Sequence, residues 1–246
     1  MYADGLCEPR NPGGVACYGF VAWRGDERIA EGWGVACRGR AATNNVAEYA
    51  AAQAALERLL EMGLEGEVVE VRSDSQLLVR QMSGLYAVRS PRIAESHRAL
   101  SRLASRFRGV RWRWVPRVAN READALSRRA YAEDVARRAD GLRVREAGDG
   151  QFLVLSSRGH TWYKVQVAPE RCECPAFARG ARPCKHVVAV RRYREAPSSA
   201  ERGTAQRENM EAAPAGSGRP APAGGHPGVG GRLGPGYPGP RVAESS

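Results

Sequence analysis

Thr43-Asn44-Asn45-Val46-Ala47-Glu48 is where the sequence changes period. Beyond it Val46, Ala50, Leu56, Leu59, Leu60 and Met62 recur at helical spacing, so residues 44–62 read as a helix. Thr43 or Asn44 can cap its start, and Gly63 supplies its stop. Before it the chain is rich in β-formers. Val15 to Trp23 reads as a strand, and Arg28 to Cys37 as its neighbour across the Gly25-Asp26 turn. With residues 1–4 these make three strands joined by short turns, an antiparallel meander.

Further on, Glu67 to Ser73 reads as a strand ended by Asp74, and Gln76 to Met82 as a short helix closed by Gly84. Pro91 opens another helix, with Ile93, Leu100, Leu103 and Phe107 on one side. Val110 to Val115 alternates apolar residues with Arg, as a strand does. Asn120 caps a last helix running to about Ala139. The order βββ-α-β-α-α-β-α predicts an α/β fold: a mixed five-stranded sheet, three antiparallel strands plus two parallel, with flanking helices.

Four acids stand at the edges of these elements. Asp4 is on the first strand, Glu48 in the first turn of the first long helix, Asp74 at a strand end, and Asp124 near the start of the last helix. In a mixed sheet such positions converge on one edge. Carboxylates packed closely repel one another, and two Mg²⁺ ions would relieve that repulsion. Bland readings stand beside this one. Asp74 also reads as a cap for residues 75–82, Asn44 and Asn45 as caps, Glu48 as dipole-favoured, and Asp124 as solvated.

Taken together, Asp4-Gly5 before a Pro/Gly turn, Thr43-Asn44-Asn45-x-Ala47-Glu48, Ser73-Asp74-Ser75 and Asn120-x-x-Ala123-Asp124-x-Leu126 resemble a type 1 ribonuclease H over roughly residues 1–140. The resemblance implies an endonuclease that hydrolyses the RNA strand of RNA/DNA hybrids with two Mg²⁺ or Mn²⁺ ions. It makes Asp4 the bridge between the two ions. Asp124 completes the site of the water-activating ion, while Glu48 and Asp74 hold the other near the leaving 3′ oxygen. Asn44, Asn45 and Gln76 match positions that contact the minor groove of the hybrid, where the 2′-hydroxyl separates RNA from DNA. Three departures stand out. Only Met1-Tyr2-Ala3 precede Asp4, which predicts a short central strand followed by a turn at Gly5-Leu6-Cys7-Glu8-Pro9. There is no room between Arg117 and Asp124 for a mobile His loop, so Arg117 or Glu122 is expected to assist at the substrate, and His97 is expected at the surface. The family's separate basic handle is also missing, and the Arg-rich helix 91–107 or the Arg111/Arg113 face can partly replace it.

A second module follows. Leu142 to Val144, Gln151 to Ser156 and Thr161 to Val167 read as short strands, and Val187 to Arg194 as a helix. Between them lie Cys172-x-Cys174 and Cys184-x-His186. Three thiolates and an imidazole close a tetrahedral shell, the pattern of one structural Zn²⁺. The run Cys-x-Cys-Pro-x-Phe…Pro-Cys-Lys-His-x-x-Ala resembles a SWIM-type zinc finger. Such a finger implies a tether to DNA or to a protein partner.

Composition bounds the rest. The net charge of +11 favours a polyanionic partner, though the skew to 36 Arg against 2 Lys also fits genome base composition. Between Arg89 and Arg145 16 Arg face 6 acids, beside Asp124. No run approaches a membrane span and no signal pattern opens the chain, so a cytoplasmic protein with no membrane partner is expected. The expected domains are 1–140 nuclease-like, 141–195 zinc module, and 196–246 a disordered Pro/Gly/Ala-rich tail. Two alternatives remain open: a non-catalytic adaptor that binds through its finger, and a nuclease of the same fold acting on another nucleic acid.

Overall fold

The computed structural model describes residues 1–196, so the expected tail lies almost wholly outside the described residues. Strands β1 (Tyr2–Glu8), β2 (Val15–Arg24) and β3 (Glu27–Arg38) form the expected meander. Then come α1 (Asn44–Glu61), β4 (Val68–Ser73), α2 (Gln76–Met82), α3 (Pro91–Ala104), β5 (Gly109–Trp114) and α4 (Arg121–Ala139). The sheet order is β3-β2-β1-β4-β5, antiparallel among the first three strands and parallel for β1/β4 and β4/β5. The predicted fold class is borne out.

The two sheet faces are covered differently. Ala3 and Phe20, opposite one another on β1 and β2, join Tyr49, Leu56, Val71, Leu78 and Leu100 in the main core under α1, α2 and α3. Leu6 and Cys17 look the other way and meet Ala130 of α4. Two glycines set how close the helices come. A Cβ on Gly5 would lie 2.2 Å from the Glu48 amide nitrogen, and one on Gly19 would lie 2.4 Å from that of Ser127. Only a residue without a side chain lets α1 and α4 lie directly on β1 and β2 at these points.

The first strand corrects the sequence reading. Residues 5–8 are not a turn, because every residue from Tyr2 to Glu8 pairs with β2. At seven residues β1 is longer than β4 and β5, which have six each, and Asp4 lies inside it rather than at a frayed end. Gly5 and Glu8 read as turn-formers by local propensity, but the β2 ladder overrides that. Pairing with β4 is brief: Tyr2 opposite Arg72 is the single registered pair. The sheet therefore has a gap beside Asp4.

Behind α4 stands a second sheet in the order β6 (Val144–Gly148), β7 (Gln151–Leu155), β8 (Trp162–Val167) and β9 (Glu170–Cys172), all antiparallel. Short α5 (Pro175–Ala178) and α6 (Lys185–Glu195) complete it. Its core of Phe152, Val154, Val165, Val187 and Val190 also takes in Ala139 from the end of α4. Arg192 on α6 donates to the Ala136 carbonyl at 2.9 Å and pairs with Asp140, so α4 and α6 are joined by polar as well as apolar contacts. Among the described residues no helix is long and apolar enough to cross a membrane.

Candidate active site and metal centre

Each acid reaches the sheet gap for a local reason. Thr43 caps α1 by accepting from the Val46 amide at 3.1 Å, which starts the helix at Asn44 and puts Glu48 in its second turn, over Gly5. Ser75 caps α2, accepting from Leu78 N at 3.4 Å. Asp74 is thus not the cap, and its carboxylate is available. Its backbone is held by Trp114 Nε1, which donates to the Asp74 carbonyl at 3.1 Å. Carboxylate oxygens of Asp4, Glu48 and Asp74 all lie within 4.8 Å of one another.

Three polar side chains to which the sequence assigned no role at the site line this cluster. The Ser127 hydroxyl lies 2.5 Å from Asp4 Oδ2 and 2.9 Å from the Asp124 carbonyl, tying α4 to β1. Ser73 Oγ lies 3.3 Å from Glu48 Oε2. Asn120 is at the start of α4 but makes no side-chain cap bond. Its Nδ2 donates instead to the Ala3 carbonyl at 3.0 Å and to Asp74 Oδ1 at 2.8 Å. A continued parallel ladder would have satisfied that Ala3 carbonyl from β4. Asn120 substitutes for the missing strand pair, and its buried Oδ1 has no hydrogen-bond partner among the described residues.

The charges are unequal. Burial pushes the Asp4 carboxyl up to about 6, opposed by the Ser127 hydroxyl and reinforced by Asp74 and Asp124. Burial, then Asp4 and Asp74, raise Glu48 well above the usual range. Asp124 goes the other way. Burial opposes its charge, but Arg128 and Arg117 outweigh this and lower it. Arg117 is 2.7 Å and Arg128 2.8 Å from its oxygens. Asp124 thus stands beside the triad, near enough to raise Asp4, with its charge taken up by arginine. Buried carboxylates that crowd one another need protons or cations, and an all-oxygen donor set suits a hard divalent ion.

The remaining candidates divide by exposure. Asn44, Asn45 and Gln76 are exposed in the first turns of α1 and α2, near Glu48 and Asp74 in sequence. Since Thr43 and Ser75 do the capping, none of these three is needed as a cap. Arg117 faces Asp124. His97 is not a surface residue as expected: it is half-buried, 6.3 Å from the Tyr49 ring between centroids.

The second cluster is closed. Ligand atoms of Cys172, Cys174, Cys184 and His186 lie within 4.8 Å of one another, and all four residues are buried. Cys172 ends β9, Cys174 precedes α5, and Cys184 precedes α6, which carries His186 in its first turn. His186 Nδ1 is 3.8 Å from Cys172 Sγ, while its buried Nε2 has no hydrogen-bond partner among the described residues. Three sulfurs and one imidazole, with the ring unsatisfied, fit a tetrahedral zinc shell. His160 is exposed and outside the cluster.

An α/β sheet of this order, with carboxylates gathered at the gap beside its central strand, defines a ribonuclease H-like domain. The family described as "Reverse transcriptase-like" matches residues 20–130, and "SWIM zinc finger" matches residues 163–191. The Ribonuclease HI of Halobacterium salinarum is 38% identical over 130 residues, 52% of this chain and 62% of that protein. The solved RNase H1 structure from the same organism is 35% identical and has a TM-score of 0.49, covering 54% of this chain and 96% of that one. Bifunctional protein Rv2228c of Mycobacterium tuberculosis is 37% identical over 137 residues, 54% of this chain. The chain spans only 36% of the length of that mycobacterial relative. Residues 20–130 thus match a ribonuclease H-like family, and residues 163–191 behind them match a SWIM zinc finger.

Proposed function

We propose that this protein is a divalent-metal-dependent endonuclease that hydrolyses the RNA strand of RNA/DNA hybrids. The observation that carries this reading is the meeting of Asp4, Glu48 and Asp74 within 4.8 Å at the sheet gap. The match of residues 20–130 to a ribonuclease H-like family and the likeness to the Ribonuclease HI of Halobacterium salinarum support its chemical class. A relative of the same class, LC11-RNase H1, 33% identical with a TM-score of 0.49, was solved in complex with RNA/DNA hybrid.

Two Mg²⁺ or Mn²⁺ ions at these carboxylates would supply an activated water and stabilise the leaving 3′ oxygen. Asp4, Glu48 and Asp74 would hold these ions, Asp4 contributing to both, with Glu48 and Asp74 serving the leaving group and Asp124 serving the attacking water. Ser127, Ser73 and Asn120 are positioning residues that hold the carboxylates in place before substrate arrives. Arg117 is the mobile cation of the site. It neutralises Asp124 in the free protein and exchanges that partner for a backbone phosphate when the hybrid binds. Asn44, Asn45 and Gln76 face the minor groove and read the 2′-hydroxyl. The products carry 5′-phosphate and 3′-hydroxyl ends.

We assign residues 1–140 to the nuclease domain and 141–195 to a module built on one structural Zn²⁺. That module tethers the nuclease to nucleic acid and so raises the effective concentration of substrate at the carboxylates. Purified full-length protein incubated with labelled RNA/DNA hybrid, double-stranded RNA and double-stranded DNA, with Mg²⁺ and with Mn²⁺, tests the reading. Cleavage confined to the RNA of the hybrid supports it. Binding without cleavage of any of the three would make the protein an adaptor.

A further inference from the structure

A cleft of about 600 Å³ opens where α4, the 140–143 connection, the β7–β8 hairpin and the start of α6 come together. Its walls carry Arg137, Arg138, Arg143 and Lys185, with the Ser157 hydroxyl among them, and the acid lining it is Asp140. Asp140 is already paired with Arg192. Arg137 and Arg138 approach the buried carboxylate of Asp134 at 3.0 and 3.3 Å, but Arg38 takes the same carboxylate. Three guanidiniums on one carboxylate leave positive charge uncompensated. Lys185 donates to Ser157, a neutral partner. The Arg143 side chain makes no hydrogen bond or ion pair among the described residues. Cations of the nuclease domain and of the zinc module thus converge on one recess without enough acid to match them.

The position of the cleft says what would fill it. Along α4, Asp124, Arg128, Tyr131, Val135 and Arg138 follow at steps of four and three, so Arg138 lies on the same helix stripe as Asp124. The separation is about 21 Å at 1.5 Å per residue. A strand advances about 3.4 Å per nucleotide, so the distance corresponds to roughly six base steps. Guanidinium, ammonium and hydroxyl donors facing one recess match phosphate oxygens, which take such contacts without regard to base sequence.

We propose that this cleft seats backbone phosphates of the nucleic-acid duplex flanking the cleavage site, so that α4 and the zinc module grip the substrate together. The proposal rests on the hybrid-nuclease reading and gives the tether a definite contact point. It also explains why α4 ends in the core of the zinc module. A seat built from both domains needs them fixed to one another.

The test compares full-length, zinc-loaded wild type with Arg143→Glu and with the double variant Arg143→Glu/Lys185→Gln, zinc content being checked in each. Arg143→Glu alone keeps the test open if the Lys185 change disturbs zinc. Hybrids of about 20 and about 8 base pairs are used; cut near its middle, the shorter leaves about four base steps, roughly 14 Å at 3.4 Å per step, on either side of the cleavage site and falls short of the cleft. On the long hybrid KM rises about tenfold, the salt dependence of log KM becomes shallower by about one to two units, and kcat is unchanged. On the short hybrid nothing changes. Equal KM and equal salt slope on the long hybrid overturn the proposal. So does the case in which inorganic phosphate stabilises wild type but not the variants while long-hybrid KM stays the same, which makes the cleft a small-anion site only. Anisotropy with the same duplexes separates the two readings. Wild type that binds hybrid yet cleaves none refutes the nuclease reading, whereas variants that bind long duplex as tightly as wild type refute the cleft.

Discussion

The two residue clusters of this protein are built in opposite ways. Asp4, Glu48 and Asp74 come from β1, α1 and the end of β4, so the whole sheet must form before they meet. Cys172, Cys174, Cys184 and His186 come from one short stretch around two small helices. In the first cluster the fold makes the site and bears an electrostatic cost for it. In the second the site makes the fold, because so small a module has little apolar core of its own. Removing cations should therefore affect the two in opposite directions.

The largest effect belongs to zinc. Apparent binding energies of structural zinc are on the order of 10 kcal/mol, enough to decide whether a module this size folds. Cys184→Ser is expected to lose the metal and to leave residues 144–195 open to proteolysis, with residues 1–140 still resistant. Metal analysis and limited proteolysis check this. Undiminished zinc in the variant would show that Cys184 is not a ligand.

Next comes the close approach at Gly5. A methyl group there would overlap the Glu48 backbone, and α1 must shift to admit it. Gly5→Ala is expected to cost about 2–3 kcal/mol of stability, as overpacking does, and to lower cleavage as well because Glu48 moves. Denaturant unfolding and a cleavage assay measure the two effects. Wild-type stability would show that the sheet does not hold the carboxylates as tightly as the geometry requires.

Asp4→Asn is expected to raise the stability of the metal-free protein while abolishing cleavage. Because the folded pKa of Asp4 lies near 6 against 3.8 unfolded, the folded state holds the proton more tightly. Its penalty is absent below about pH 4, grows as pH rises from 3.8 to about 6, and is complete above that. The gain for the amide is thus up to about 3 kcal/mol at pH 7.5 and near zero at pH 4. Thermal unfolding at both pH values reads it. The zinc cluster offers no counterpart, since losing one of its ligands can only destabilise.

The smallest effect is at Ser127. Its hydroxyl lowers the Asp4 pKa, so Ser127→Ala lets that pKa rise further. The acid limb of the pH–rate profile should move to higher pH, by up to about one unit, with the plateau rate little changed. An unmoved limb would mean that Ser127 does not position Asp4.

The sequence carried the element order and the residues that meet in both clusters, Asp124 standing beside the first rather than in it, because helical period, strand composition and ligand spacing are local signals. What it hid was cross-chain. Asn120 sits where a helix cap belongs, and only the parting of β1 from β4 gives its amide the Ala3 carbonyl and Asp74 instead. Ser127 lies three residues after Asp124 on a stripe of small residues with Ala123 and Ala130. That spacing was a usable signal for a hydroxyl facing the sheet. The length of β1 was illegible for the same reason: Gly5 speaks for a turn until β2 pairs with it. The extra strand β9 and short α5 arise inside the ligand loop, where Cys positions set the path and apolar periodicity is absent.

Asp4, Glu48 and Asp74 are proposed as a divalent-cation site that cleaves RNA in a hybrid. Asp74 tests it most cleanly, being the least buried of the three and not a helix cap. With Mg²⁺ and a labelled RNA/DNA hybrid, wild type should release fragments with 5′-phosphate and 3′-hydroxyl ends. Asp74→Asn, with zinc content and folding unchanged, should cleave at least about a thousandfold more slowly, some 4 kcal/mol of barrier. Hybrid cleavage by Asp74→Asn at the wild-type rate would show that this carboxylate cluster is not the cleavage site.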